Sequence, residues 1–148
     1  ELRPELHAGR LPGADLFGAD QGIGVVGGQP FGGQPPPAVL PVGENQVSRP
    51  GTAETARESI RQMAARKADM VKIWLDSAGG LMPKIPPEVY SAAIDEAHKN
   101  GLRVAAHIYD LEDAKAIVRA GVDIGALGDR AGALTPRRAL PATVSPGR

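Results

Sequence analysis

Two residues of this chain, Lys72 and His107, have types and placement that suggest chemistry. Lys72 interrupts the apolar run DMVKIWLD, whose core MVKIWL is expected to form a buried strand. Side chains alternate along a strand, so Lys72 and Trp74 share one face and Val71, Ile73 and Leu75 the other. A strand in a parallel sheet is covered on both faces, and a buried ammonium costs several kcal/mol unless it is paired or neutralised. Lys72 is therefore either held by a carboxylate or set on a half-exposed edge, or it is a lysine of depressed pKa. The last kind reacts as a base, an imine former or a carbamate former. His107 closes the next apolar run, LRVAAHI, after the small residues Ala105 and Ala106. The carboxyl ends of strands in α/β folds face the ligand crevice, so His107 is either a packed, hydrogen-bonded imidazole or a ligand. Asp76, just past the lysine strand, is expected to cap its loop rather than touch a ligand. Tyr109 lies at the mouth of the histidine strand, where a bound molecule would be in reach. His98, in DEAHKNG, reads as a solvated helix residue, and His7 has no chemistry to recommend it.

Composition narrows the classes. The chain has 17 Lys and Arg against 17 Asp and Glu, without the basic excess of a nucleic-acid or membrane-surface binder. The absence of Cys excludes a disulfide framework and a thiolate metal site, so any metal must take nitrogen or oxygen ligands. It leaves the compartment open, with the cytoplasm the favoured expectation. No apolar run approaches the ~18 residues of a membrane span, and ELRPELHAGR lacks the apolar core of a signal peptide. The chain opens on Glu1 rather than Met, as expected of a trimmed or partial product. With two Phe, two Tyr and one Trp, its core must be built from aliphatics and Ala.

The elements that must position Lys72 and His107 lie in residues 52–126. Thr52 is a helix N-cap ahead of AETARESIRQMAARKA, which carries Ala56, Ile60, Met63 and Ala64 on one face. After MVKIWL, Pro86 and Pro87 open a second helix, PEVYSAAIDEAHKN, closed by Gly101. LRVAAHI is the second strand. Asp110 and Asp113 frame the start of a third helix, LEDAKAIVRA, which Gly121 stops before the strand GVDIGAL. Helices alternating with strands imply a parallel sheet with right-handed crossovers. No phosphate-binding glycine pattern follows a strand and opens a helix, so a nucleotide-binding open sheet loses its support against an arc of a (β/α)8 barrel. Twelve of the 25 residues at 27–51 are Gly or Pro, too many for a helix or central strand, so that stretch is expected to be a long exposed loop. The tail at 127–148 has no apolar period. It is expected to be disordered or foreign to the preceding fold.

ADMVKIWLDS followed by KIPPEVYSAAIDEAHKNGLRVAAHIYDLEDAKAIVRAGVD resembles the amidohydrolase superfamily, in its imidazolonepropionase-like and prolidase-like branch. LPGADLFGADQGIGVVGGQP resembles the third-strand segment of the same family, with Asp15 in place of the usual Arg. The resemblance covers residues 1–126. It implies a partial (β/α)8 TIM barrel, in which an arc of parallel strands with crossover helices does not close. It also implies a metal-dependent hydrolase in which Lys72, as a CO2-derived carbamate, bridges two divalent ions, usually zinc, and His107 ligates one of them. A bridging hydroxide then attacks an amide, cyclic amide or dipeptide-like substrate, near which Tyr109 would lie. Carboxylation also resolves the lysine puzzle, since it turns an unfavourable buried cation into an anionic oxygen ligand.

The family pattern is incomplete in this sequence. The H-x-H pair of the first strand and the aspartate of the eighth have no counterpart, and Leu127 stands where the sixth strand supplies a histidine. A closed barrel needs roughly 200–250 residues or more. The resemblance fades after Ala126, where composition also shifts, as a frameshift or misassembled gene end would produce. The isolated chain is therefore expected to be a catalytically inactive fragment that self-associates through uncovered barrel edges. The alternatives are a non-catalytic association module, or an aldolase-like barrel with Lys72 as imine former.

Overall fold

The computed structural model describes residues 2–14, 16–28 and 46–127. Asp15, most of the Pro/Gly-rich stretch and nearly all of the tail lie outside them. Four helices and five strands follow one another as α1 (Leu2–His7), β1 (Ala19–Ile23), β2 (Val47–Ser48), α2 (Ala53–Ala65), β3 (Met70–Leu75), α3 (Pro87–Lys99), β4 (Arg103–Ile108), α4 (Leu111–Arg119) and β5 (Ile124–Leu127). All the strand pairings are parallel, in the order β2-β1-β3-β4-β5. With β2 and β5 at its ends, the described sheet is an open α/β arc, a partial TIM barrel that does not close.

Local sequence accounts for the elements. Thr52 caps α2 reciprocally with Thr55: the Thr55 N–H donates to Thr52 Oγ1 at 3.2 Å, and the Thr52 N–H to Thr55 Oγ1 at 3.1 Å. This satisfies two donors at the helix start. Pro86 is the N-cap of α3, with Pro87 in its first turn, where a missing N–H costs nothing. Gly101, at φ +72°, follows the C-cap Asn100 and turns the chain into β4.

Asp110 and Asp113 frame the start of α4, as expected, with Asp110 as its N-cap, though Asp110 makes no side-chain capping bond. Asp110 and Asp113 instead accept from Lys84 Nζ at 3.2 and 2.6 Å. That cation, from the segment after β3, competes more strongly for the carboxylates than a neutral backbone donor does. The stretch at 27–51 differs from expectation, because its end forms β2, with Val47 buried. Two residues suffice there: an edge strand needs ladder bonds on one side only.

Helices α2, α3 and α4 pack on one face of the sheet. Val71, Ile73, Leu75, Val104, Ala106 and Ile108 point into that layer, each at most 2% exposed. They meet Ile60 and Met63 of α2, Val89 and Ile94 of α3, and Ile117 of α4. The core is mainly aliphatic, and Ala56, Ala92, Ala93 and Ala97 are buried in it. At the base of the sheet Asp69 clamps β3 to the chain entering β1: its N–H donates to Gly18 O at 3.1 Å, and its Oδ2 accepts from Gly18 N–H at 2.9 Å.

Candidate functional site

The register of the sheet fixes which side chains share the face opposite the helices. Lys72 pairs with Gly22 on one side and Ala105 on the other, and Trp74 pairs with His107. Lys72 and His107 are therefore diagonal neighbours, one strand over and two residues along, on the same face. The alternating burial of β3 places Lys72 and Trp74 opposite Val71, Ile73 and Leu75, as strand geometry requires. The two residues singled out in the sequence are thus brought together on the face of the sheet opposite helices α2, α3 and α4.

Lys72 lies on β3, the middle strand, and is half-buried. Among the described residues it makes no hydrogen bond or ion pair. Burial alone holds its ammonium below the usual lysine pKa of 10.5. Of the two sequence readings, the carboxylate-paired lysine finds no carboxylate among the described residues, and the edge position does not apply.

A small cavity of about 290 Å³ opens beside Lys72, lined by Ala19, Asp20, Gly22, Gln46, Lys72 and Trp74. Its shape depends on a glycine. The six-membered ring of Trp74 packs against Gly22, so a methyl carbon built at position 22 would fall only 1.8 Å from its Cζ3. A bulge in β1 between Ala19 and Gly22 re-aims this rim, and Asp20 there is tied to Arg66 at 2.6 Å.

At the carboxyl end of β3 the chain enters a tight loop. Asp76 is buried, 8% exposed, and its Oδ1 accepts from the Ala78 N–H at 2.7 Å, holding Ala78 at φ +50°. The hydroxyl of Ser77 accepts from the Gly80 N–H at 2.9 Å. Asp76 thus caps the loop, as expected, but its second oxygen does more: Oδ2 stands 3.5 Å from His107 Nε2. That approach spans two strand ends and has no signature in sequence spacing. Tyr109, half-buried between β4 and α4, does not line the cavity.

The other histidines have structural partners. His98 Nε2 lies 3.0 Å from Asp123 Oδ2, which also accepts from the Val104 N–H at 2.7 Å. These bonds hold the Asp123 carboxyl below the usual carboxylate range, the backbone donor contributing most. Asp123 therefore ties α3 and β4 to the approach of β5, and His98, though exposed, is not simply solvated. His7 Nε2 bonds Leu16 O at 2.9 Å, with its ring against Phe17. Among the described residues no three His, Asp or Glu side chains gather as a metal cluster. Leu127, where the resemblance expects a histidine, ends β5 and pairs in register with Ile108. No helix of the described residues is long and apolar enough to cross a membrane.

No protein-family model matches the sequence. Uncharacterized proteins of Mycobacterium bovis and Mycobacterium tuberculosis are each 35% identical over 69 residues, 44% of this chain and 19% of their own length. Among solved structures, a Xaa-Pro dipeptidase with methionine bound in its active site superposes with a TM-score of 0.66 at 27% identity, over 84% of this chain and 32% of its own. An amidohydrolase gives 0.63 at 21% identity, over 84% and 33%. The ochratoxinase of A. niger gives 0.58 at 18%, over 80% and 32%. The chain has the architecture of an amidohydrolase- and prolidase-type barrel arc. It spans about a fifth of the curated relatives and about a third of these structures.

Proposed function

We infer that this chain is part of a metal-dependent amidohydrolase that cleaves a C–N bond in an amide, cyclic amide or Xaa-Pro-type dipeptide, and that the isolated chain is inactive. One observation carries the reading. In an arc shared with a dipeptidase and an amidohydrolase, Lys72 presents a partly desolvated amine, without a partner among the described residues, on the face opposite the helices and diagonal to His107.

These residues fit part of a metal shell. A carbamate needs a neutral amine, and burial lowers the pKa of Lys72 in that direction. The Lys72 nitrogen adds to the carbon of CO2, one proton leaves to solvent, and the side chain becomes an anionic oxygen donor beside an imidazole. Lys72 and His107 would hold divalent ions, zinc being the expected metal. Such ions supply a water of lowered pKa and polarise a carbonyl. The proposed inactivity of the isolated chain follows from the donor set among the described residues, which has too few ligands to fix coordination geometry. Tyr109, at the mouth of β4, is the proposed contact to substrate.

The test combines carbamate detection with turnover. With 13C-bicarbonate and zinc, the chain should show a carbamate resonance that Lys72→Arg lacks. It should not hydrolyse Xaa-Pro dipeptides or N-acyl amino acids. A wild-type chain without that resonance, or one with substantial chelator-insensitive hydrolysis, would overturn the proposal.

A non-catalytic association module is the second reading. Val118 of α4 is 64% exposed, and Ile124 of β5, the last strand of the described sheet, is 36% exposed. A module is expected to be monodisperse and cooperatively folded without metal. A barrel fragment with uncovered edges is expected to aggregate or pair. Light scattering on the metal-free chain separates the two.

A further inference from the structure

The geometry points to Asp76 as a further ligand of the divalent ion, sharing it with His107. The inference deepens the amidohydrolase reading and rests on it for the presence of a metal. Asp76 Oδ2 and His107 Nε2 are 3.5 Å apart, too long for a good hydrogen bond between these atoms. Two ligands of one tetrahedral zinc ion, with Zn–N and Zn–O bonds near 2.1 Å, stand about 3.4 Å apart. The observed separation therefore matches one edge of a coordination tetrahedron.

The rest of the carboxylate supports the same role. Asp76 is only 8% exposed, and its Oδ1 is held by the Ala78 N–H at 2.7 Å. One oxygen is thus fixed by the backbone and the other is left directed at the imidazole. A ligand anchored in this way loses little side-chain freedom when a cation binds. Loop capping uses Oδ1 alone and leaves Oδ2 facing the histidine of the next strand, a placement that suits an ion pair or a shared cation. Lys72 lies on the same face, two residues below the level of His107 in the register. An ion at the Asp76–His107 edge would therefore lie at the carboxyl end of the strands, above the Lys72 position.

Zinc binding to the whole chain, measured by competition with a chromophoric chelator in carbonate buffer, tests this. The variants are Asp76→Asn, His107→Ala and Lys72→Met. Asp76→Asn keeps an oxygen for the Ala78 N–H and so retains the loop cap, which a thermal melt checks. The expected result is that Asp76→Asn and His107→Ala each weaken zinc binding at least about tenfold. If Asp76→Asn binds as wild type while His107→Ala and Lys72→Met weaken, the Asp76 assignment is wrong and the amidohydrolase reading stands. If Asp76→Asn and His107→Ala weaken but Lys72→Met does not, Asp76 stands and the carbamate falls. A wild-type chain that binds no zinc overturns both. Paramagnetic broadening needs no variant: Mn2+ added to wild type should broaden the Ala78 amide before that of Asp123. Equal broadening at the two would contradict the assignment.

Discussion

The two faces of the sheet are built from the same strands and obey different rules. On the helix side, β3 and β4 contribute Val71, Ile73, Leu75, Val104, Ala106 and Ile108, all buried in an aliphatic layer. On the other side they contribute Lys72, Trp74, Ala105 and His107, none fully buried. A one-residue step along β3 therefore separates a position governed by packing from one governed by charge and desolvation. The stability of the arc resides on the covered face, and the chemistry proposed for it resides on the open one.

Substitutions of neighbouring residues should expose that division. Ile73→Ala removes a fully buried side chain between sheet and helices and is expected to cost about 2–5 kcal/mol in urea unfolding. Lys72→Met, one residue away, should leave the unfolding midpoint unchanged or raise it, because it removes a cation that has lost part of its hydration without gaining a partner among the described residues. A Lys72→Met variant as destabilised as Ile73→Ala would erase the distinction.

A tight packing contact on the open face, Trp74 against Gly22, gives the next largest effect. Gly22→Ala places a methyl group against the Trp74 ring and is expected to destabilise by about 1–3 kcal/mol. In the Gly22→Ala/Trp74→Ala double variant the cost should fall well below the sum of the single ones. Additive costs would mean that the ring does not hold position 22.

A similar cost belongs to Asp123, which joins the layers at the base of β5. Asp123→Ala strands the Val104 N–H and releases His98, an expected loss of about 1–3 kcal/mol. Its carboxyl is held below the usual carboxylate range. Its contribution is therefore complete above the unfolded value of about 3.9 and is lost as pH falls through the folded value. Acid unfolding of Asp123→Ala should accordingly show a shallower pH dependence than wild type.

The smallest effects are two lysine dependences of opposite sign. Burial lowers the pKa of Lys72, so in the window below 10.5 the unfolded chain binds more protons and stability rises with pH. Lys84 is raised, chiefly by its hydrogen bond to Asp113. Its contribution is present below 10.5 and is lost as pH climbs through the folded value. Unfolding followed from neutral to alkaline pH should lose the rising component in Lys72→Met and the falling one in Lys84→Met.

Much of this arrangement is legible in the sequence, for local reasons. Helices α2, α3 and α4 announce themselves through apolar periodicity and their flanking Thr, Pro and Gly. The alternation in MVKIWL places Lys72 opposite Ile73 without any coordinates. The position of β1 came from resemblance rather than alternation, since ADQGI carries a single large apolar residue. What remained hidden depends on contacts between distant segments. The two-residue β2 is defined by its pairing with β1 and has too few residues for a period. The capture of Asp110 and Asp113 by Lys84 overrides a cap that local sequence favours. The approach of Asp76 to His107 arises only when the ends of β3 and β4 are placed side by side.

Competitive acylation of the lysines across pH, read site by site by mass spectrometry, tests the partly desolvated amine, unpaired among the described residues, on which the functional reading rests. The amine of Lys72 should become reactive at lower pH than that of Lys84, since burial depresses the first and two carboxylates raise the second. A Lys72 that titrates together with Lys84, or above it, would mean that its ammonium is paired. The open face would then lack the neutral amine that carbamate formation requires.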